Sequence, residues 1–160
     1  MADEPQKLTK VTYDRLSEEL ADLTTRGRID IANAIEAARA LGDLKENGDY
    51  HAAKDTQGKM EARVRQLQSM LKDAIIVEAE VPSDGTITEG VIVAIRYHGD
   101  DEDDISEYFF GSIEERSGDL PVLSPTSPMG KAVHGKAKGH EVSYVAPGGE
   151  LTIVIVDVRA

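Results

Sequence analysis

The stretch "LGDLKENGDYHAAK" (Leu41–Lys54) lies between two segments of helical periodicity and holds three acids, Asp43, Glu46 and Asp49, beside Gly42, Asn47 and Gly48. Upstream, from Tyr13, the apolar positions are Leu16, Leu20, Leu23, Ile31, Ile35, Ala38 and Leu41, with Gly27 interrupting the series. The extra residue around Gly27 reads as a stutter in a heptad pattern. Downstream, Tyr50, Ala53, Gln57, Met60, Val64, Leu67 and Leu71 fall alternately three and four residues apart, which is an a/d seam. Two helical arms joined by a short Gly-containing bend predict an antiparallel hairpin. At 1.5 Å per residue it forms a rod on the order of 40 Å long, with residues 42–49 at its far end.

The second half changes period. "AIIVEAEV" (74–81) reads as a join. The strand-like runs are "VIVAIRY" (91–97), "ISEYFFGSI" (105–113), "EVSYV" (141–145) and "LTIVIVDV" (151–158), separated by "HGDDEDD", "SGDLP" and "APGGE". A short helix is expected over "SPMGKAVHG" (127–135), with Ser127 as cap and Pro128 in the first turn. The expected fold class is α+β: a coiled-coil hairpin over residues 1–78, then a small antiparallel sheet domain with one short helix over 79–160.

Composition narrows the function. The chain has 18 Lys/Arg against 30 Asp/Glu, a net charge of -12, and the excess is larger in residues 81–160 than in 1–80. Autonomous nucleic-acid binding relies on cations that neutralise phosphates, and base stacking relies on aromatics. This chain is acidic and has no Trp and two Phe. It has no Cys, so disulfides and thiolate metal sites are excluded. The opening "MADEPQK" lacks the basic start and apolar core of a secretory signal, and the expected location is the cytoplasm. His51, His98, His134 and His140 show no metal-ligand spacing, although His51 lies one turn from the tip acids. The Gly99–Asp104 run "GDDEDD" lacks the EF-hand alternation and reads as a solvated loop. No nucleophile is paired with a base in any familiar pattern.

Two readings of Asp43 and Glu46 stand side by side. An acid followed three residues later by Glu at a helix start resembles a capping box. Alternatively, both side chains project from the tip and hold a cation or water. Mg²⁺ commonly takes only one or two protein carboxylates, plus waters and substrate phosphates, so such a pair acts within a site that others complete. Asn47 and Gly48 supply turn chemistry in either case, through their tolerance of positive φ.

"GDLKEN", then "YHAAK" and "QGKMEARVRQLQSML", resemble the tip and return helix of the bacterial Gre transcript-cleavage factors, GreA type. "SPMGKAVHG" and "APGGELTIVIVDV" resemble that family's C-terminal pattern. The resemblance runs from about Leu8 to Val158. It implies a coiled-coil hairpin and an FKBP-like C-terminal domain that docks at the rim of the RNA polymerase secondary channel. It also implies that the tip acids, here Asp43 and Glu46, share a Mg²⁺ with the polymerase active centre, no metal being bound by the factor alone. By the same resemblance the factor is not itself an enzyme; it activates the polymerase's cleavage of backtracked RNA. Gly42, Asn47, Gly48 and Tyr50 would shape the tip. Arg39, Lys45, Lys54 and Lys59 are candidates for contact with the nascent RNA 3′ end, or else solvated helix-face charges. Many relatives have Ala-Glu where this chain has Gly48-Asp49, which predicts a looser bend. A polar-faced rod is expected to be monomeric.

Three rival readings follow. A Gre-like inhibitor would plug the channel without using the acids. A prolyl isomerase would need an aromatic-lined pocket, for which Tyr97, Tyr108, Phe109, Phe110 and Tyr144 are the only aromatics in that half. A plain adapter would use Asp43 and Glu46 only as caps.

Overall fold

The computed structural model describes residues 5–115 and 119–160, so the Ser117–Gly118 part of the expected "SGDLP" turn lies outside the described residues. In chain order the elements are β1 (Lys7–Thr9), α1 (Lys10–Asp22), a π-helical turn (Leu23–Gly27), α2 (Arg28–Arg39), α3 (Gly48–Lys72), β2 (Ile75–Val77), β3 (Ile92–Tyr97), β4 (Ser106–Phe110), β5 (Val122–Leu123), α4 (Pro128–Val133), β6 (Glu141–Ala146) and β7 (Gly149–Arg159). They form two compact units. One is Tyr13–Asp73; the other joins the described residues before Tyr13 to Ala74–Ala160.

The helical unit is an antiparallel hairpin. Its cross-helix pairs run in opposite directions along the two arms: Glu19 with Arg63, Arg28 with Glu61, and Arg39 with Tyr50. The seam buries Ile31, Ile35 and Ala38 of α2 and Val64 and Leu67 of α3. The stutter at Gly27 is realised as the π-helical turn Leu23–Gly27, a wider turn that absorbs one extra residue and restores the apolar face. A methyl group on Gly27 would stand 3.2 Å from Met60 Sδ, so glycine keeps the two arms close there. Arg63 clamps Glu19 with two hydrogen bonds, at 2.6 and 3.0 Å. That side-chain hydrogen bonding holds the Glu19 carboxyl below its ordinary range. Leu41, expected in the seam, is 70% exposed because the helix has already ended.

The other unit carries two sheets. The five-stranded sheet has the order β5-β4-β3-β7-β6. Its β3–β4, β3–β7 and β6–β7 pairs are antiparallel. The expected all-antiparallel sheet is corrected by β5, which pairs parallel with β4. Ile87, Val91, Val93, Ile95, Phe110, Leu123, Val133, Ile153 and Ile155 form its core. Phe110 enters that core while its neighbour Phe109 is only half-buried, as alternation along a strand requires. Tyr97, Tyr108 and Tyr144 pack against the same core, and the Tyr144 hydroxyl donates to that of Tyr97 at 3.5 Å. The hydrogen bond with Tyr144, then burial, pushes the Tyr97 phenol up. The acidic loop Gly99–Asp104 links β3 to β4 and is exposed throughout.

The second sheet is the parallel pair β1–β2, which makes Ile75–Val77 of the expected join "AIIVEAEV" a strand. The expected boundary after residue 78 thus falls inside the sheet unit, because the two strands flanking the helices pair with each other. Glu115, only 6% exposed, secures this region. It accepts hydrogen bonds from Thr9 N–H at 2.7 Å, Thr9 Oγ1 at 2.9 Å and Thr12 Oγ1 at 2.5 Å. Glu115→Ala leaves those donors without their acceptor. The expected loss is about 2 kcal/mol in urea denaturation, with Glu115→Gln recovering part of it. Equal midpoints for all three proteins would remove Glu115 from the account of stability.

Candidate functional site: the hairpin tip

Three devices build the tip. Helix α2 ends at Arg39, and the chain turns at Gly42, whose φ of +112° lies in the left-handed region that glycine enters without strain. Asn47 then opens α3. Its backbone is extended (φ -89°, ψ 99°), and its side-chain oxygen accepts the Tyr50 N–H at 3.1 Å. Its amide nitrogen donates to the Ala38 carbonyl at 2.5 Å, a second donor beside the Leu41 N–H that the same carbonyl accepts at 3.1 Å at the end of α2. One side chain therefore closes both helices.

This arrangement corrects the capping box. Asp43 lies four residues before the cap and Glu46 immediately before it, so neither caps α3. Asp43 instead accepts the Lys45 N–H at 3.1 Å with one carboxylate oxygen, a local turn that leaves the other oxygen without a hydrogen bond among the described residues. Glu46 makes no hydrogen bond among the described residues. Both acids are exposed and line one shallow cleft of about 360 Å³, with Leu41, Asn47, Gly48 and Asp49. Positive φ at Asn47 and Gly48 is not used: Gly48 is the first residue of α3, with open space where a methyl group would stand. The expected looseness at that position is therefore not built into its backbone conformation.

The remaining candidates divide by location. Tyr50 is half-buried under the Arg39 guanidinium, 5.8 Å from its ring centre. Arg39 and Lys54 line a second cleft of about 490 Å³ with Ala32, Ile35, Glu36 and Gln57, and the Lys54 ammonium donates to the Gln57 side chain at 3.0 Å. Lys59 is engaged by Asp55 at 2.9 Å, a hydrogen-bonded pair that holds its ammonium pKa up. Lys45 is exposed between the acids. Two tip contacts go beyond what the sequence predicts: the cross-helix reach of Asn47, and a contact between His51 Nε2 and the Lys45 carbonyl at 3.2 Å. The signal available for the first was an Asn-Gly pair directly before an apolar period.

Removing Asn47 tests the double closure. Asn47→Ala is expected to cost about 1–2 kcal/mol, seen as a lower melting temperature by circular dichroism. Asn47→Asp restores the cap but not the donor to Ala38, and melts between the two. If both variants melt with the wild type, the closure contributes nothing.

The fold is thus a helical hairpin that ends in two exposed carboxylates, neither of them a helix cap, together with a mixed-sheet unit. Residues 6–76 match the family model "Transcription elongation factor, N-terminal", and residues 82–160 match "Transcription elongation factor, GreA/GreB, C-term". The transcription elongation factor GreA of Streptomyces avermitilis is 45% identical over 147 residues, covering 92% of this chain and 88% of that protein. That of Roseiflexus sp. (strain RS-1) is 35% identical over 159 residues, covering 99% and 100%. The solved structure of Thermus aquaticus Gfh1 is 25% identical, covers 99% of this chain and all of that one, and has a TM-score of 0.43. The chain belongs to the GreA/GreB family of transcription elongation factors.

Proposed function

We propose that this chain enters the secondary channel of bacterial RNA polymerase and stimulates the polymerase's own cleavage of backtracked nascent RNA, which rescues arrested complexes. The observation that carries the reading is that Asp43 and Glu46, side by side on one exposed cleft, are not consumed by capping. Among the described residues no three His, Asp or Glu side chains could hold a metal ion together. The donor set fits an ion completed by other ligands: Asp43 and Glu46 would hold a Mg²⁺ shared with the polymerase. Such an ion supplies a bound water of lowered pKa and a counter-charge for oxygens that become negative.

The chain's own part is to present and to hold. The hairpin gives reach, since α3 alone is 25 residues, about 37 Å. The closure by Asn47 orders the tip before binding, so less orientational freedom is lost in the complex. Arg39 and Lys54, together on one cleft, and Lys45, exposed between the acids, are better placed as RNA contacts than Lys59, whose charge is already met by Asp55. The sheet unit docks at the channel rim. On this reading the protein is a monomeric, cytoplasmic activator and not itself an enzyme. No helix among the described residues is long and apolar enough to cross a membrane.

The test is a polymerase stalled in a backtracked complex with 3′-labelled RNA, in Mg²⁺. Release of short 3′ fragments on adding this chain supports the reading. Inhibition, or no effect, overturns it in favour of a channel plug or an adapter.

A further inference from the structure

We propose that His51 is a positioning residue for the tip carboxylates, acting as a clamp on the backbone between them. The proposal rests on the function proposed above. Only Leu44 and Lys45 separate the two acids, and both backbone polar groups of Lys45 are held by side chains. Its N–H donates to Asp43 Oδ1 at 3.1 Å, and its carbonyl faces His51 Nε2 at 3.2 Å. A carbonyl can only accept, so the His51 nitrogen carries the proton and donates. The neutral ring protonated on Nε2 and the imidazolium can both do this.

The clamp is anchored in the rigid part of the hairpin. His51 belongs to α3, and its own N–H donates to the Asn47 carbonyl at 3.2 Å within the first helical turn. Its ring meets Tyr50 edge-on, with centres 5.7 Å apart and planes at 64°. Tyr50 is in turn covered by Arg39. The order of the helix is thus passed through the imidazole to the Lys45 carbonyl, whose peptide bond leads directly into Glu46. Without the donor, water can serve that carbonyl, because the contact is exposed. Stability then changes little while the orientation of Glu46 relative to Asp43 is released. Small misplacements of reacting groups reduce rate more than binding.

The experiment compares the full chain with His51→Phe, which keeps a ring without a donor, and His51→Gln, whose amide N–H can stand where Nε2 stood. Transcript cleavage is measured against factor concentration, with Asp43→Asn run alongside. Amide NMR shifts of Lys45 and Glu46 are recorded for each free protein. His51→Phe should lower the saturating cleavage rate about tenfold at an unchanged half-saturating concentration. It should also move the Glu46 amide, while His51→Gln restores most of both. A wild-type saturating rate in His51→Phe, a change confined to half-saturation, or Gln no better than Phe overturns the clamp. If Asp43→Asn cleaves like the wild type, or the wild type does not stimulate cleavage, the functional reading has failed instead. The NMR comparison then decides the clamp alone, and an unmoved Glu46 amide overturns it.

Discussion

Asp43→Asn is expected to lower factor-stimulated transcript cleavage by about 10²- to 10³-fold while leaving the melting temperature of the protein unchanged. The rate estimate follows from the proposed placement of Asp43 in the polymerase active centre, where one preorganised charged group would be removed. The stability estimate follows from the geometry of the tip. Asp43 is exposed, and its one hydrogen bond accepts the Lys45 N–H. An Asn side-chain oxygen can accept that same bond, so the turn is kept and only the charge is lost. Because Asn47, not Asp43, caps α3, no helix depends on the substituted residue. Glu46→Gln should behave in the same way, and on the proposed sharing of one ion the double variant should be little worse than either single one, since two ligands of one ion fail together. The measurement is cleavage of 3′-labelled RNA in a stalled complex, with competition against wild type to confirm binding. If the variants cleave normally, the acids have no chemical role. If they bind poorly, their role lies in docking.

How much of this was legible in the sequence depends on the range of the interactions involved. The α3 seam repeats a local pattern over six intervals, and the buried Val64 and Leu67 lie on it. The stutter at Gly27 could be read because one extra residue in a helix must be absorbed locally, and the Leu23–Gly27 turn does so. Strands β3, β6 and β7 could be read because each is five or more residues carrying β-branched or aromatic side chains and bounded by turn residues. The β1–β2 pair could not be read. Its strands are three residues long and join Lys7 to Ile75 across the whole hairpin, so no local pattern marks them. The parallel β5, two residues long, was hidden for the same reason.

At the tip, local preference was ambiguous: both Asp43 and Asn47 are good caps. The choice was made by a contact across the hairpin, the Asn47 amide on the Ala38 carbonyl, which only the folded pair of helices supplies. The exposure of Leu41 follows from the same decision, since the chain leaves the helix before Leu41 can continue the seam. A chemical role for the acids rests on the resemblance and is the reading proposed above. Two carboxylates three residues apart fit a cap as well as a ligand pair, and spacing alone does not separate the two.

Gly130→Ala is expected to cause the largest loss of stability of any Gly→Ala substitution among the described residues, about 3 kcal/mol or more. A methyl at Gly130 would stand 1.8 Å from the Ser124 carbonyl oxygen, 2.8 Å from its carbon and 2.9 Å from Ser127 Oγ. Something must therefore move, and each way out breaks a contact. The Ser124 carbonyl accepts both Ser127 N–H at 3.1 Å and Ser127 Oγ at 2.7 Å. Ser127 Oγ also caps α4 by accepting the Gly130 N–H at 3.1 Å. Pushing Ser124 away thus undoes the cap, worth about 1 kcal/mol. It also pulls on Leu123, which is buried and whose carbonyl accepts Gly111 N–H at 3.0 Å. Moving α4 instead withdraws Val133 from the core. A melting temperature lower by roughly 10 °C or more is expected for the sheet unit. The control is Gly58→Ala, an exposed position inside α3 with nothing within 4 Å of the added methyl. There the same atom should stabilise by roughly 0.5–1 kcal/mol, because alanine favours the helix and restricts the unfolded chain. Opposite signs from one methyl group at two glycines would show that the Ser124–Gly130 approach, and not backbone freedom, requires glycine in α4. A Gly130→Ala protein that melts with the wild type would mean that the approach relaxes without cost.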